Sequence, residues 1–414
     1  MTKGALIHAQ FWVWASIILT PVLALAGGLG FQLAGFLMGL SAILVWATDR
    51  SRAAYLKTLW PIALFVFVIW AWVSTFWSDH AGALFGGNAS LLFGLLVPLL
   101  FLPLIFLRLS IRSKRLLSWA VIAMGLLGVL LLLIDSASGF ALSLWGDPVD
   151  PGQERTWRLG QAEMNVGRGQ ISYAQLFFPV AAILVVTVKR GWIFAVLGAL
   201  GLALSAHLNN LSIVIVTLTL AAAFAIFAWQ RPRKGLFLAA ALALGSIIFA
   251  PLIGLLASGI DPSIMRELPL SWEHRLRMWS YSWELIRQAP LIGHGFDSSR
   301  VFDELSFRAP DGRDIIVMSL HPHNIGLQIW LETGMIGVIL FAGFFLALMK
   351  HVLRLALNSP QAFAVAGLIV ATATNGAATI GVWQHWWWAL IVFAASLVCL
   401  LPHKRSSLPN PTKK

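Results

Sequence analysis

The sequence predicts an all-α polytopic membrane protein, and three observations carry that reading. Mean hydropathy is +0.82. Only 11% of the residues are charged. The chain also resolves into about twelve apolar runs of roughly 17 to 23 residues, each long enough to cross a ~30 Å hydrocarbon core. Unpaired backbone groups are not tolerated in lipid, so each run has to close its own hydrogen bonds as a helix.

In order, the runs fall near 11–27, 29–48, 59–77, 89–107, 117–134, 171–188, 191–207, 211–229, 235–257, 325–348, 361–380 and 383–401. The first could pass for a signal peptide, since Ala24-Leu25-Ala26 imitates a cleavage site, but it is read as a retained helix. Residues 1–414 then form a single integral membrane domain. It carries a smaller outer loop, 135–170, and a large helical one, 258–323, between helices 9 and 10. Cys399 is the single cysteine, which excludes an intramolecular disulfide and a cysteine-ligated zinc site. Trp70, Trp72, Trp77, Trp383, Trp386, Trp387 and Trp388 fall near outer helix ends, where indole rings favour the headgroup layer as an aromatic belt.

Nineteen of the 29 basic residues occupy alternate short loops or the termini, among them Arg50, Arg52, Arg112, Lys114, Lys189, Arg231 and Lys404. The positive-inside bias makes that side cytoplasmic and puts both termini there. The net charge of +12 is therefore a topology signal, and no nucleic-acid partner is implied. The other ten basic residues are all arginine: Arg155, Arg158 and Arg168 in 135–170, and Arg266, Arg275, Arg277, Arg287, Arg300, Arg308 and Arg313 in 258–320. A guanidinium stays charged and grips phosphate with a planar fork. Pairing with outer acids such as Glu154, Glu267 and Glu273 explains individual arginines. The set points to a phosphorylated or pyrophosphorylated ligand at the outer face.

Within the large loop, Ser271 as N-cap, Glu273 in the first turn and Pro290 as terminator predict a helix over 272–289. Trp272, Leu276, Trp279, Trp283 and Ile286 form its apolar stripe, lying on the outer leaflet or capping the bundle. Arg275 falls at the edge of that stripe and Arg277 nearly opposite. An inward Arg275 needs an anionic partner, either an acidic side chain or a ligand phosphate.

His321-Pro322-His323-Asn324 then opens a membrane helix. A lone histidine at a helix start is ordinarily a cap or a satisfied polar group. Beside an arginine-rich loop, His323 is the candidate general base, with His321 and Asn324 as neighbouring substrate contacts. In the following helix Gln328 and Glu332 share one face, and an acid at that depth should face the protein interior or a wet cavity.

His323-Asn324, nine residues, then Gly334-x-x-Gly337 resembles the signature of the O-antigen ligase and O-antigen polymerase superfamily. Arg275-Leu-Arg-Met-Trp279 with Pro290-Leu-Ile-Gly293-His-Gly295 is similar to its upstream segment, and Arg158-Leu-Gly160 to its arginine in the smaller loop, a role that Arg155 or Arg168 could hold instead. The resemblance implies a C-type glycosyltransferase fold in a bacterial inner membrane with a periplasmic active site. It also implies an undecaprenyl-pyrophosphate-linked glycan as donor. In ligases the acceptor is lipid A-core; in polymerases it is another lipid-linked repeat, and in protein O-oligosaccharyltransferases a Ser or Thr. Length and the single dominant loop favour the ligase. On this reading His323 is the base, Arg275 and Arg158 stabilise the leaving pyrophosphate, and the anomeric carbon inverts. No two acids are spaced i, i+2 as in Asp-x-Asp, so no metal and no other cofactor is expected. The competing class is a transporter or flippase of an anionic lipid, which twelve helices would suit. Transporters concentrate ionisable groups near the bilayer midplane, however, whereas here Glu332 is the main such residue.

Overall fold

A computed structural model describes residues 3–48, 58–80, 100–145, 155–310, 312–318 and 320–402. Its helices in chain order are α1 (Lys3–Leu23), α2 (Gly27–Thr48), α3 (Leu59–Val73), α4 (Leu102–Arg108), α5 (Ile111–Ala137), α6 (Ala141–Trp145), α7 (Arg155–Thr187), α8 (Gly191–Leu208), α9 (Ser212–Gln230), α10 (Pro232–Ile248) and α11 (Ala250–Ser258). They continue as α12 (Pro262–Arg266), α13 (Leu270–Gln288), α14 (Ile325–Arg354), α15 (Ser359–Gly376) and α16 (His385–Leu397).

Among the described residues seven helices are long and apolar enough to cross a membrane, or eight if α10 and α11, bent by 51°, form one span. The sequence expectation was twelve. Two of the remaining expected spans are shorter apolar helices, Gly30–Leu44 and His385–Leu400. The expected span at 89–107 lies, up to residue 99, outside the described residues. The last corresponds to α15, whose polar residues lower its hydropathy because it is an internal helix, packed by α7, α9 and α10. Gln361, Ala366, Gly367, Ala371 and Asn375 are buried on it. Gly367 allows the approach of α7: a β-carbon there would stand 2.3 Å from the Phe178 ring. Small residues at a crossing let helix backbones come together where lipid offers no hydrophobic drive.

Both stretches read as outer loops carry regular structure. Most of 135–170 is helical: α7 runs unbroken for 33 residues. At about 1.5 Å per residue it is roughly 50 Å long, more than the hydrocarbon core requires, so one end projects and carries Arg155 and Arg158 with it. The large loop is not purely α-helical either. Ser306–Arg308 (β1) and Asp314–Ile316 (β2) pair antiparallel, Ser306 opposite Ile316. This hairpin folds over α13, where His274 Nε2 donates to the Ile316 and Val317 carbonyls at 3.1 and 3.0 Å.

Helix α13 starts at Leu270 with Pro269 as N-cap, and no side chain caps it. Ser271 contributes its carbonyl and not a capping hydroxyl, accepting Arg275 Nη1 at 2.7 Å. The stripe packs on α11 and α14, close enough that a β-carbon on Gly254 would stand 2.7 Å from the Trp279 carbonyl oxygen.

Candidate active site

The site is organised by a break in α14. Gly334 has φ 64° and ψ −170° inside that helix, in the left-handed region where a side chain is strained. Two intrahelical hydrogen bonds are lost there, and Pro290–Gly295 replaces them. The N–H groups of His294 and Gly295 donate to the Leu331 and Glu332 carbonyls, both at 2.9 Å, while Met335 and Ile336 donate to the Pro290 and Leu291 carbonyls at 2.9 and 3.1 Å. The glycines are steric necessities. A β-carbon on Gly334 would lie 2.4 Å from the Leu291 carbonyl carbon, and one on Gly293 2.5 Å from that of Glu332. Trp70 and Trp77 complete the splice, their indole N–H groups donating to the Thr333 carbonyl at 3.0 Å and the Gly293 carbonyl at 3.2 Å.

Two residues before the break the buried Glu332 carboxylate accepts four hydrogen bonds. Gln328 Nε2 donates at 2.9 Å and the Asp297 N–H at 2.7 Å, joined by the Ser299 hydroxyl and the Trp383 indole N–H. Gln328 Oε1 in turn accepts the Val382 N–H at 2.8 Å. Glu332 thus faces the protein interior and pins the loop and the start of α16 to α14. Trp383, Trp386 and Trp387 are buried. They are core residues and not a headgroup belt, since Trp383 is held by a partner that helix-end position alone could not reveal.

Carbonyls of the turn that follows α15 anchor the motif side chains. Ala377 accepts Asn324 Nδ2 at 3.0 Å, Ala378 accepts Arg275 Nε at 2.8 Å, and Thr379 accepts His323 Nδ1 at 3.0 Å. Asn324 also caps α14, its Oδ1 accepting the Leu327 N–H at 3.0 Å. Both ends of its amide are engaged, which gives it a positioning role. Trp279 Nε1 donates to the Pro322 carbonyl at 3.0 Å, tying α13 to the same tetrapeptide.

A carbonyl can only accept, so Nδ1 of His323 carries the proton and Nε2 holds the lone pair. Its backbone is in the left-handed region, with φ 50°. Burial is the main cause that lowers its pKa to about 4; the Arg275, His274 and Arg168 charges add to this against the Thr379 hydrogen bond. His321 packs 4.4 Å away, ring centroid to centroid. Its Nδ1 accepts the His323 N–H at 3.1 Å, which puts its own proton on Nε2, beside the Gln384 amide at 3.1 Å. Burial, then His323, Arg300 and Arg168, hold His321 well below the usual histidine range.

Arg275 keeps its Nη2 group and a second Nη1 hydrogen beyond the bonds to Ala378 and Ser271, and neither bond is to a carboxylate. Burial lowers its pKa. It also lies over the Trp272 ring, 5.6 Å from the centroid. Arg277 is turned away, and is not a solvent residue. It grips the buried Glu273 through Nε and Nη2 at 2.9 and 2.7 Å and covers Phe307.

On α7, the charge of Arg168 acts on both histidines. Gly169 beside it is pressed on the turn between α1 and α2, where a β-carbon would stand 2.3 Å from the Ala24 carbonyl oxygen. Arg158 donates to the Leu144 carbonyl at 3.5 Å, and ten helical residues place it about 15 Å along the axis from Arg168. Arg155 begins the helix, farther still. The structure therefore brings together His321, His323, Arg275 and Arg168. It adds Arg300, whose Nε donates to Asp297 at 2.8 Å. Sequence reasoning left Arg300 among ten outer arginines, because a 3-10 turn offers neither motif nor periodicity.

The profile of the O-antigen ligase family matches residues 175–342, a segment that holds Arg275, His321 and His323. The chain is 31% identical over 181 residues to a protein of Rickettsia conorii provisionally named a polysaccharide ligase, covering 40% of this chain and 43% of that protein. Proteins so named from Rickettsia typhi and Rickettsia bellii are 30% identical over 181 and 160 residues; the matches cover 40% and 38% of this chain and 44% and 39% of those proteins. The chain thus spans less than half the length of these curated relatives.

Proposed function

We propose that this chain, whose residues 175–342 match the O-antigen ligase family, is a metal-independent glycosyltransferase. It moves O-antigen polysaccharide from undecaprenyl pyrophosphate to a sugar hydroxyl of lipid A-core, at the periplasmic face of the bacterial inner membrane. The observation that carries the reading is the juxtaposition of His323 with two guanidinium groups, Arg275 and Arg168, that no carboxylate neutralises among the described residues.

In the reaction the acceptor hydroxyl gives its proton to His323 Nε2 while its oxygen attacks the anomeric carbon. The bond from that carbon to the pyrophosphate oxygen breaks, and undecaprenyl pyrophosphate departs with the electron pair. Displacement from the face opposite the leaving group inverts the anomeric centre. Arg275 and Arg168 take up the charge that develops on the leaving oxygens. Arg168 is preferred to Arg158 in this role because its charge acts on both histidines. The Nδ1–H bond to Thr379 holds the tautomer and steadies the imidazolium that forms.

Burial and the neighbouring arginines make His323 a weak base in the free protein. Bound pyrophosphate counters those arginine charges and raises its pKa, so basicity grows when the donor is in place. The test is transfer by purified protein in detergent, without any gradient, from a lipid-linked glycan to lipid A-core. A second lipid-linked repeat as acceptor distinguishes a polymerase, and no transfer to either sugar acceptor contradicts the proposal.

A further inference from the structure

Beside His321 opens a cleft lined among others by Asp297, Arg300, Trp383, Gln384, His385 and Trp386. His385, the first residue of α16, is 8% exposed. Neither of its ring nitrogens has a hydrogen-bond partner. A buried polar group left unpaired is costly, and such groups are rare enough to need an explanation. Gln384 shows the same deficit: one end of its amide faces His321 and the Oε1 end has no partner. Since His321 presents an N–H from Nε2, the amide oxygen belongs on that side, and the unpartnered end is then the NH2 donor.

We propose that this cleft is a sugar subsite in which His385 and Gln384 bind the hydroxyl groups of a substrate glycan. The proposal deepens the glycosyltransferase reading and rests on it. A neutral imidazole offers one donor and one acceptor, the complement of a vicinal diol, and the Gln384 amide adds a second donor beside it. The charge balance selects a neutral ligand, because Arg300 is paired here with Asp297 at 2.8 Å, whereas Arg275 and Arg168 are left for the pyrophosphate. The indoles of Trp383 and Trp386 supply the apolar wall that the carbon face of a sugar ring requires.

Two glycans could enter, the acceptor core or the donor repeat, and both are used as lipid-free probes. The full chain in detergent is titrated calorimetrically with dephosphorylated lipid A-core oligosaccharide and with a released O-antigen repeat oligosaccharide. Wild type is expected to bind at least one of them. His385→Phe, which keeps the ring volume, should weaken that glycan about 10-fold or more, as expected for one to two lost hydrogen bonds. His385→Gln, which retains a donor and an acceptor, should recover part of the loss and provides the comparison if the phenylalanine variant folds poorly. Arg275→Ala should bind the same oligosaccharide normally while failing in transfer. Binding of neither glycan by wild type, or equal binding by wild type and both His385 variants, overturns the subsite. Absence of transfer by wild type that nevertheless binds a glycan overturns only the reaction.

Discussion

Arg275 and His323, distant in sequence, are anchored on consecutive carbonyl groups, those of Ala378 and Thr379. The end of one internal helix thereby sets the spacing between the proposed leaving-group clamp and the proposed base. Both side chains keep polar atoms in reserve: Nη2 on the arginine and Nε2 on the histidine.

The first prediction concerns that arginine. Arg275→Lys keeps the charge but loses the planar fork, and transfer should fall about 10- to 150-fold, the rate equivalent of ~1.5 to 3 kcal/mol for a charge-assisted contact. Its unfolding temperature should change little. Arg277→Lys should turn over nearly as wild type, whereas Arg277→Ala strands the buried Glu273 carboxylate and should cost roughly 3 to 5 kcal/mol of stability. Parallel rate and thermal-unfolding measurements separate the two cases. Equal, mild rate effects at both positions would reduce Arg275 to an anchoring residue.

The second separates the α7 arginines. Arg168→Ala should lose at least tenfold in transfer, and Arg158→Ala severalfold less, since of the two it is Arg168 whose charge acts on the histidines. The reverse order would return the role to Arg158.

A third follows from the helix break. Gly334→Ala forces a β-carbon to within 2.4 Å of the Leu291 backbone at a φ of +64°. It should cost several kcal/mol and release the Pro290–Gly295 segment, visible as new proteolytic cleavage. Gly343→Ala on the same helix meets nothing within 4 Å and should be neutral or slightly stabilising. Similar behaviour of the two variants would refute the splice.

These contrasts show what the sequence could reveal. Apolar runs located the helices, the stripe through Trp279 located α13, and His323 and Arg275 were legible from motif spacing. Arg168 was not separable from Arg158, because that depends on α7 being one continuous helix and on where Gly169 meets the Ala24 turn. The carbonyls of residues 377–379 carry no side-chain signal at all. The tryptophans misled because Trp70, Trp77 and Trp383 spend their indole N–H groups on the loop and helix break, pairings that position near a helix end does not disclose. Arg300 and His385 became visible only once the chain folded them around one cleft.

The fourth prediction is a pH dependence. His323 must be neutral to accept a proton, so activity is lost as pH falls through its pKa. In the free protein that value is about 4, and kcat/KM, which reports the free protein, should hold down to that region. Bound pyrophosphate offsets the Arg275 and Arg168 charges, so the acid limb of kcat should lie at higher pH. Coincident limbs, or a kcat limb below that of kcat/KM, would contradict the proposed coupling of base and donor.

The most direct test of the account is the turnover of His323→Ala, purified in detergent and supplied with a polyprenyl-pyrophosphate glycan and lipid A-core. Thermal unfolding establishes that the variant is folded. Loss of the general base predicts transfer reduced by at least ~100-fold. Near-normal turnover by the folded variant would remove His323 from the chemistry and, with it, the mechanism proposed for this site.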